Sequence, residues 1–288
     1  MPPPASTLLH RLSGWLHDRP AVRVAKLRGV RSPQLGNLRT LTVYLPPGYS
    51  DDREHPLLVV HDGQDMEAWK LAEALAGQHA AGRVTPVVAA LPALRHRMQE
   101  YGTAGRLNVH GQGDRAAEFQ AFVADTVVPL LRRRYQLSRH PGQTAVLGAS
   151  LGGLSAFDLA WRRPDLFGIA GVFSGSFWWR TSDASPAEQQ ASRIAHQIVR
   201  ETSRRPPLRL WFQAGTRDED EDRDGNGVID AIQDTTELID ELVAKGFSRN
   251  RDVVYRETEG GRHHPSTWAR ELPEFLRWAF PAPRPATT

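Results

Sequence analysis

Residues 144–153 read Thr-Ala-Val-Leu-Gly-Ala-Ser-Leu-Gly-Gly and contain Gly-x-Ser-x-Gly as Gly148, Ser150 and Gly152. A chain that turns sharply from a strand into a helix needs glycine where a Cβ would collide, and it lifts the intervening serine to the tip of the turn. The hydroxyl then lies at a helix N-terminus, whose partial positive charge favours a developing anion. Nucleophilic attack on a carbonyl is the chemistry open to such a serine. The pentapeptide alone also fits a plain glycine-rich turn. The apolar strand-like run before it and the apolar-faced helical run after it favour the nucleophile.

A serine hydroxyl is a weak nucleophile until a base takes its proton and an acid orients that base. In hydrolases built on this turn the acid and then the histidine follow the serine along the chain. The apolar run Leu208 to Phe212 is followed by Gly215-Thr216-Arg217-Asp218, which makes Asp218 the candidate acid. Because Asp218 opens an acidic run, Glu219 and Asp220 stand as alternatives. Gly260-Gly261-Arg262-His263-His264 follows the strand-like Val253 to Tyr255, offering His263 as base with His264 as the alternative. An oxyanion needs two backbone N–H donors. Leu151, directly after the serine, would give one, and Gln64, in the loop His61-Asp62-Gly63-Gln64-Asp65, the other.

Strand-like and helix-like segments must alternate to place these residues together. Val22 to Val30, Leu38 to Leu45, Leu57 to Val60, Val87 to Leu91, Thr144 to Leu147, Ile169 to Phe173, Leu208 to Phe212 and Val253 to Tyr255 read as strands. Helical spacing marks residues 115–134, Leu151 to Trp161, a segment around Leu238 to Val243, and Trp268 to Trp278. The alternation predicts an α/β fold, a mostly parallel central sheet with helices on both faces and active groups at the carboxyl ends of the strands. Residues 21–280 read as one domain, between a Pro-rich N-terminal extension (1–20) and a loose tail (281–288).

The chain has 288 residues, 40% hydrophobic and 24% charged, with no cysteine. Disulfides, thiolate catalysis and Cys-based zinc sites are excluded. The net charge of +3 is small, and runs such as Arg132-Arg133-Arg134 read as a solvated helix end, so no nucleic-acid partner is expected. No apolar run reaches membrane-spanning length. The N-terminus lacks the basic-then-apolar pattern of a signal peptide, which predicts a cytoplasmic protein with no membrane partner. Oligomeric state leaves no mark on the sequence.

Asp222-Arg223-Asp224-Gly225-Asn226-Gly227-Val228-Ile229-Asp230 has the oxygen spacing of an EF-hand loop. Asp222, Asp224, Asn226, the carbonyl of Val228 and Asp230 are candidate ligands for a structural Ca2+. The usual terminal Glu is replaced by Gln233, leaving Asp234 as its substitute. A glycine-rich acidic turn without metal is the competing explanation.

Taken with further stretches, the chain resembles the esterase D, enterobactin-esterase and feruloyl-esterase group of α/β hydrolases from about Leu41 to Phe280. The resemblance is carried by Val43-Tyr44-Leu45-Pro46-Pro47-Gly48-Tyr49, Val60 to Gln64, Arg97 to Tyr101, the Ser150 turn, Ser174-Gly175-Ser176-Phe177-Trp178-Trp179, Gly215 to Asp218, and Gly260 to His263. Trp268, five residues beyond His263, favours that histidine over His264. The resemblance implies an α/β-hydrolase fold and ester hydrolysis through an acyl-enzyme, with no catalytic cofactor. Its substrates would be small-molecule esters: siderophore trilactones, feruloyl or acetyl sugar esters, or thioesters. Related members transfer acyl groups, and a catalytically silent calcium-binding module on the same fold is the alternative outside enzymology. No long insertion separates Ser174 from Asp218, so no large cap domain is expected over the site. Arg97, Glu100, Phe177, Trp178 and Trp179 are the candidate substrate-lining residues.

Overall fold

The computed structural model describes residues 21–93 and 96–281. The expected extension (1–20) and all of the tail except Pro281 lie outside them. Two long strands, β1 (Arg23–Ser32) and β2 (Asn37–Leu45), come first, and β2 alternates between a buried and a more open face. In β3 (Leu57–His61), β4 (Val87–Leu91), β5 (Thr144–Ala149) and β6 (Ile169–Phe173) every residue is buried, as expected of parallel strands covered on both faces. Strands β7 (Arg209–Arg217) and β8 (Val253–Arg262) complete an eight-stranded sheet of order β1-β2-β4-β3-β5-β6-β7-β8. The β1–β2 and β2–β4 pairs are antiparallel and the others parallel. Strand order reverses around β3 and β5, the switch point at which open α/β sheets gather their ligands.

Between strands run α1 (Leu71–Ala80), α2 (Arg97–Glu100), α3 (Ala116–Ala121), α4 (Val128–Arg134), α5 (Leu151–Arg162), α6 (Pro186–Ala191), α7 (Ile194–Glu201), α8 (Asp230–Ala244) and α9 (Pro265–Ala279). Leu71 and Leu75 of α1 pack with Trp268, Leu272 and Phe275 of α9 on one face of the sheet. Phe119, Leu131, Leu154, Phe157, Ile198 and Leu238 build the core on the other. The helix expected over 115–134 is continuous but passes through a π-wound stretch, Phe122–Val127, between α3 and α4. Pro129 supplies the reason: it has no N–H for the carbonyl one turn back, and its ring crowds that carbonyl. Only the short α6 and α7 occupy the chain between β6 and β7.

Candidate active site

Ser150 sits between β5 and α5 with φ 56 and ψ −130. A non-glycine residue is held at such an angle only where its surroundings over-determine it, at a cost of about 1–3 kcal/mol. Here the backbone is pinned on both sides. Its N–H donates to the Phe173 carbonyl at the end of β6, and its carbonyl accepts from Ser176, Gly153 and Leu154. A Cβ on Gly148 would lie 2.2 Å from the Gly152 carbonyl oxygen, and one on Gly152 would lie 2.5 Å from an Asp62 carboxylate oxygen. Backbone cannot yield as a side chain can, so Gly148→Ala is expected to destabilise the protein by about 1–3 kcal/mol. Thermal unfolding of the variant measures it.

Asp218 lies just beyond β7 and is buried, with neither carboxylate oxygen hydrogen-bonded. A desolvated carboxylate without a donor is costly, which marks it as a group prepared for a partner. His263 follows β8, the strand beside β7, and packs its ring edge-to-face on Trp268 with centroids 5.4 Å apart. Trp268 donates in turn to the Ser174 hydroxyl at 2.9 Å, tying the start of α9 to the end of β6. Burial lowers the His263 pKa below its usual 6.5; the Asp218 carboxylate opposes this and the Arg97 guanidinium adds to it. His263 is therefore within electrostatic reach of both charges. Neither a Ser150–His263 nor a His263–Asp218 hydrogen bond is formed, and the Ser150 hydroxyl instead lies 3.4 Å from that of Ser176.

The alternatives are differently employed. His264 caps α9, its Nδ1 accepting from the Ser266 N–H at 3.2 Å. Glu219 accepts from the Ala231 backbone, yet burial, with Glu221, Asp230 and Asp234 nearby, pushes its carboxyl up to about 7. Asp220 is exposed.

Because β3 pairs with β5, the loop after β3 lies beside the Ser150 turn. Gln64 stands there in a 3-10 turn (Gly63–Asp65), while Leu151 is the first residue of α5, whose leading N–H groups have no carbonyl within the helix. Gln64 is fixed by its side chain, which accepts from Ala93 N–H at 2.9 Å and donates to Asp62 at 3.3 Å. Asp62 takes a left-handed conformation, φ 54, and receives two bonds from Arg97, at 2.8 and 2.7 Å. Arg97 also lies over the Tyr101 ring, 5.1 Å from its centroid, and remains partly open to solvent.

Three expected lining residues belong to the interior instead. Glu100 is buried in an ion pair with Arg39 of β2, at 2.6 Å. Phe177 packs edge-on against Phe157 and Phe212 in the core. Trp179 is fully buried, its ring filling the space above Gly102 and Gly113. Trp178 faces outward, 37% exposed. With Arg180, Gln189, Glu219 and Glu221 it lines a cavity of about 490 Å³.

The family model described as "Putative esterase" matches residues 32–279. The chain belongs to that family. It is thereby a carboxylic ester hydrolase, and its sheet is that of the α/β hydrolases. An iron(III) enterobactin esterase of Dickeya dadantii (strain 3937) is 28% identical to this esterase over 258 residues, covering 86% of this chain and 53% of the relative. Uncharacterized protein YbbA of Bacillus subtilis (strain 168) is 23% identical over 261 residues, 88% of this chain and 97% of that one. The crystal structure of the ferric enterobactin esterase from Salmonella typhimurium shares the fold with a TM-score of 0.70 at 24% identity, covering 91% of this chain and 60% of that one. This esterase thus spans only part of the length of the enterobactin esterases it matches.

Sequence reasoning gave Ser176 no role of its own, although its placement is set by the register: Ala149 pairs with Phe173, so the turn leaving β6 must border the turn leaving β5. It also gave Asp62 no role, although an Asp-Gly pair directly after a buried strand signals a turn that places a carboxylate at the strand's carboxyl end. In the acidic loop of this esterase the candidate calcium ligands bond within the protein. Asp222 accepts from the Asn226 and Gly227 N–H groups, Asn226 from Val228 N–H, and Gln233 donates to Asp224. Asp234 is bonded by both Arg193 and Arg223. Asp230 opens α8 with one oxygen taken by Arg223 N–H. Among the described residues no group of three or more His, Asp or Glu is arranged to hold a metal ion. Among them too, no helix is long and apolar enough to cross a membrane.

Proposed function

We propose that this esterase cleaves its substrate through an acyl-enzyme, with Ser150 as nucleophile, His263 as general base and Asp218 as the acid that orients and stabilises the imidazolium. The observation that carries this reading is the strained Ser150 turn at the switch point, with a desolvated carboxylate without a donor and a histidine that feels its charge at the carboxyl ends of β7 and β8, two and three strands along the same sheet. Side-chain rotation closes the relay; hydrogen bonds of this kind tighten when substrate is bound. His263 takes the Ser150 proton as Oγ bonds the carbonyl carbon, and the N–H groups of Leu151 and Gln64 receive the oxyanion. Collapse expels the alkoxide, which takes the proton from the imidazolium, and water repeats the sequence to release the acid.

The likeness to enterobactin esterases supports a small-molecule ester with a bulky aryl, siderophore or carbohydrate portion. The test is labelling with a fluorophosphonate probe followed by peptide mapping, alongside hydrolysis of an ester panel that includes a siderophore trilactone and a feruloylated sugar. Labelling is expected at Ser150, with loss of hydrolysis. Labelling elsewhere, or none with activity retained, overturns the mechanism.

The pH dependence has a definite sign. Only neutral imidazole accepts the proton, so kcat/KM rises with pH through the His263 ionisation, expected below 6.5 because burial and Arg97 both disfavour the cation. Arg97→Gln removes a repelling charge and moves the inflection upward. A pH–rate profile of the variant on a neutral ester measures the shift.

A further inference from the structure

We propose that the cavity between β1 and α4 binds a small polyanion carrying two or more phosphoryl groups. This concavity, about 410 Å³, is lined by Lys26, Arg28 and Arg31 of β1, Arg133 and Arg134 of α4, and Thr126. No acidic residue contributes to its walls. None of the five cations makes an ion pair or side-chain hydrogen bond among the described residues, whereas Arg97, Arg106, Arg163 and Arg193 are each ion-paired elsewhere on the molecule.

The backbone is shaped to collect these charges. The β1–β2 register passes from Leu27↔Leu41 to Val30↔Arg39, so one extra residue is accommodated on β1. Gly29, at φ 68, permits this bulge. Bulges bend a strand and re-aim its side chains, and this one lies between Lys26 and Arg31. The carbonyls ending α4 carry a partial negative charge that complements Arg133 and Arg134, but half a charge cannot offset five cations. A concave wall of one sign focuses the field and concentrates counter-ions. Guanidinium forks match the oxygens of phosphoryl groups, and because the cations come from two opposed elements, a single phosphate would leave several unmatched. The concave shape favours a small ligand over a flat polymer or a membrane. The site is four strands from β5 and independent of the ester chemistry.

The test is calorimetric titration of the native protein with inorganic tripolyphosphate, with phosphatidylglycerol vesicles and a single-stranded oligonucleotide as separate arms. Saturable one-to-one binding of tripolyphosphate is expected, weakening steeply as salt rises. The double variant Arg31→Gln/Arg133→Gln should bind at least about tenfold more weakly. Its melting temperature and its hydrolysis of a small ester should stay unchanged. Arg249→Gln/Arg251→Gln, which removes as much charge from a distant turn, should bind as wild type does. Absence of saturable binding, equal weakening in the control variant, or tighter binding to vesicles or oligonucleotide than to tripolyphosphate would each overturn the proposal.

Discussion

Ser150→Ala is expected to lower kcat by roughly 10⁴–10⁶-fold, as removal of an attacking atom does in serine hydrolases, while leaving the fold intact. The residual activity is the contribution of binding and of the oxyanion donors, which are backbone groups that the substitution does not touch. The expected stability change is small because its parts oppose. Alanine is no more comfortable than serine at φ 56, so the backbone strain persists. The Ser176 hydroxyl, buried and 3.4 Å from the lost Oγ, forfeits a weak contact worth about 1 kcal/mol at most. Steady-state hydrolysis of an activated aryl ester and thermal unfolding measure the two effects separately. A variant that keeps a tenth of wild-type kcat with an unchanged melting temperature would remove Ser150 from the chemistry.

The segments of the candidate site were legible because their requirements are local. A strand–turn–helix with glycine on both sides of a serine can be read from ten residues, and the strands that position it are unbroken apolar runs. The direction of individual side chains was not legible. Trp178 and Trp179 are adjacent and alike, yet one lines a cavity and the other is buried against Gly102 and Gly113, a contact between segments distant in sequence. Glu100 reads as an available carboxylate until Arg39, sixty-one positions earlier, is found against it. The ends of β7 and β8 were hidden for a related reason. Thr258 to Arg262 has no strand-like alternation and contains two glycines, but pairing of Gly215 with Thr258 and Arg217 with Arg262 holds it to β7 on both sides of a bulge, where Gly260 takes φ 64. His263 therefore leaves a strand end rather than a free loop, which limits where its ring can swing. Helices α6 and α7 escaped because six and eight residues are too few to establish a helical period. The loop before α8 holds another long-range contact that its own sequence does not announce. Its local pattern is that of a calcium loop, and Arg193, from a different helix-bearing segment, bonds Asp234 beside it.

Asp218→Asn separates catalysis from stability with effects of opposite sign. The amide keeps the shape but presents no negative charge to the imidazolium and can hold the ring in the wrong tautomer, so kcat/KM is expected to fall roughly 10³–10⁴-fold. Glu219 is poorly suited to replace it, since a carboxyl pushed up to about 7 is substantially protonated at neutral pH and is already engaged by Ala231. The remaining activity should rise through a lower pH inflection, because Asp218 is the group that holds the His263 pKa up against burial and Arg97. Stability should increase. Both Asp218 carboxylate oxygens are buried without a donor, and a neutral amide in their place relieves a desolvation cost of about 1–3 kcal/mol. A site that folds with an unsatisfied carboxylate and works because of it trades stability for chemistry, the compromise expected of a catalytic acid and not of a structural one. Kinetics across pH and a thermal scan of the same preparation test both halves. Activity within tenfold of wild type together with a lowered melting temperature would make Asp218 structural and transfer the acid's role to Glu219.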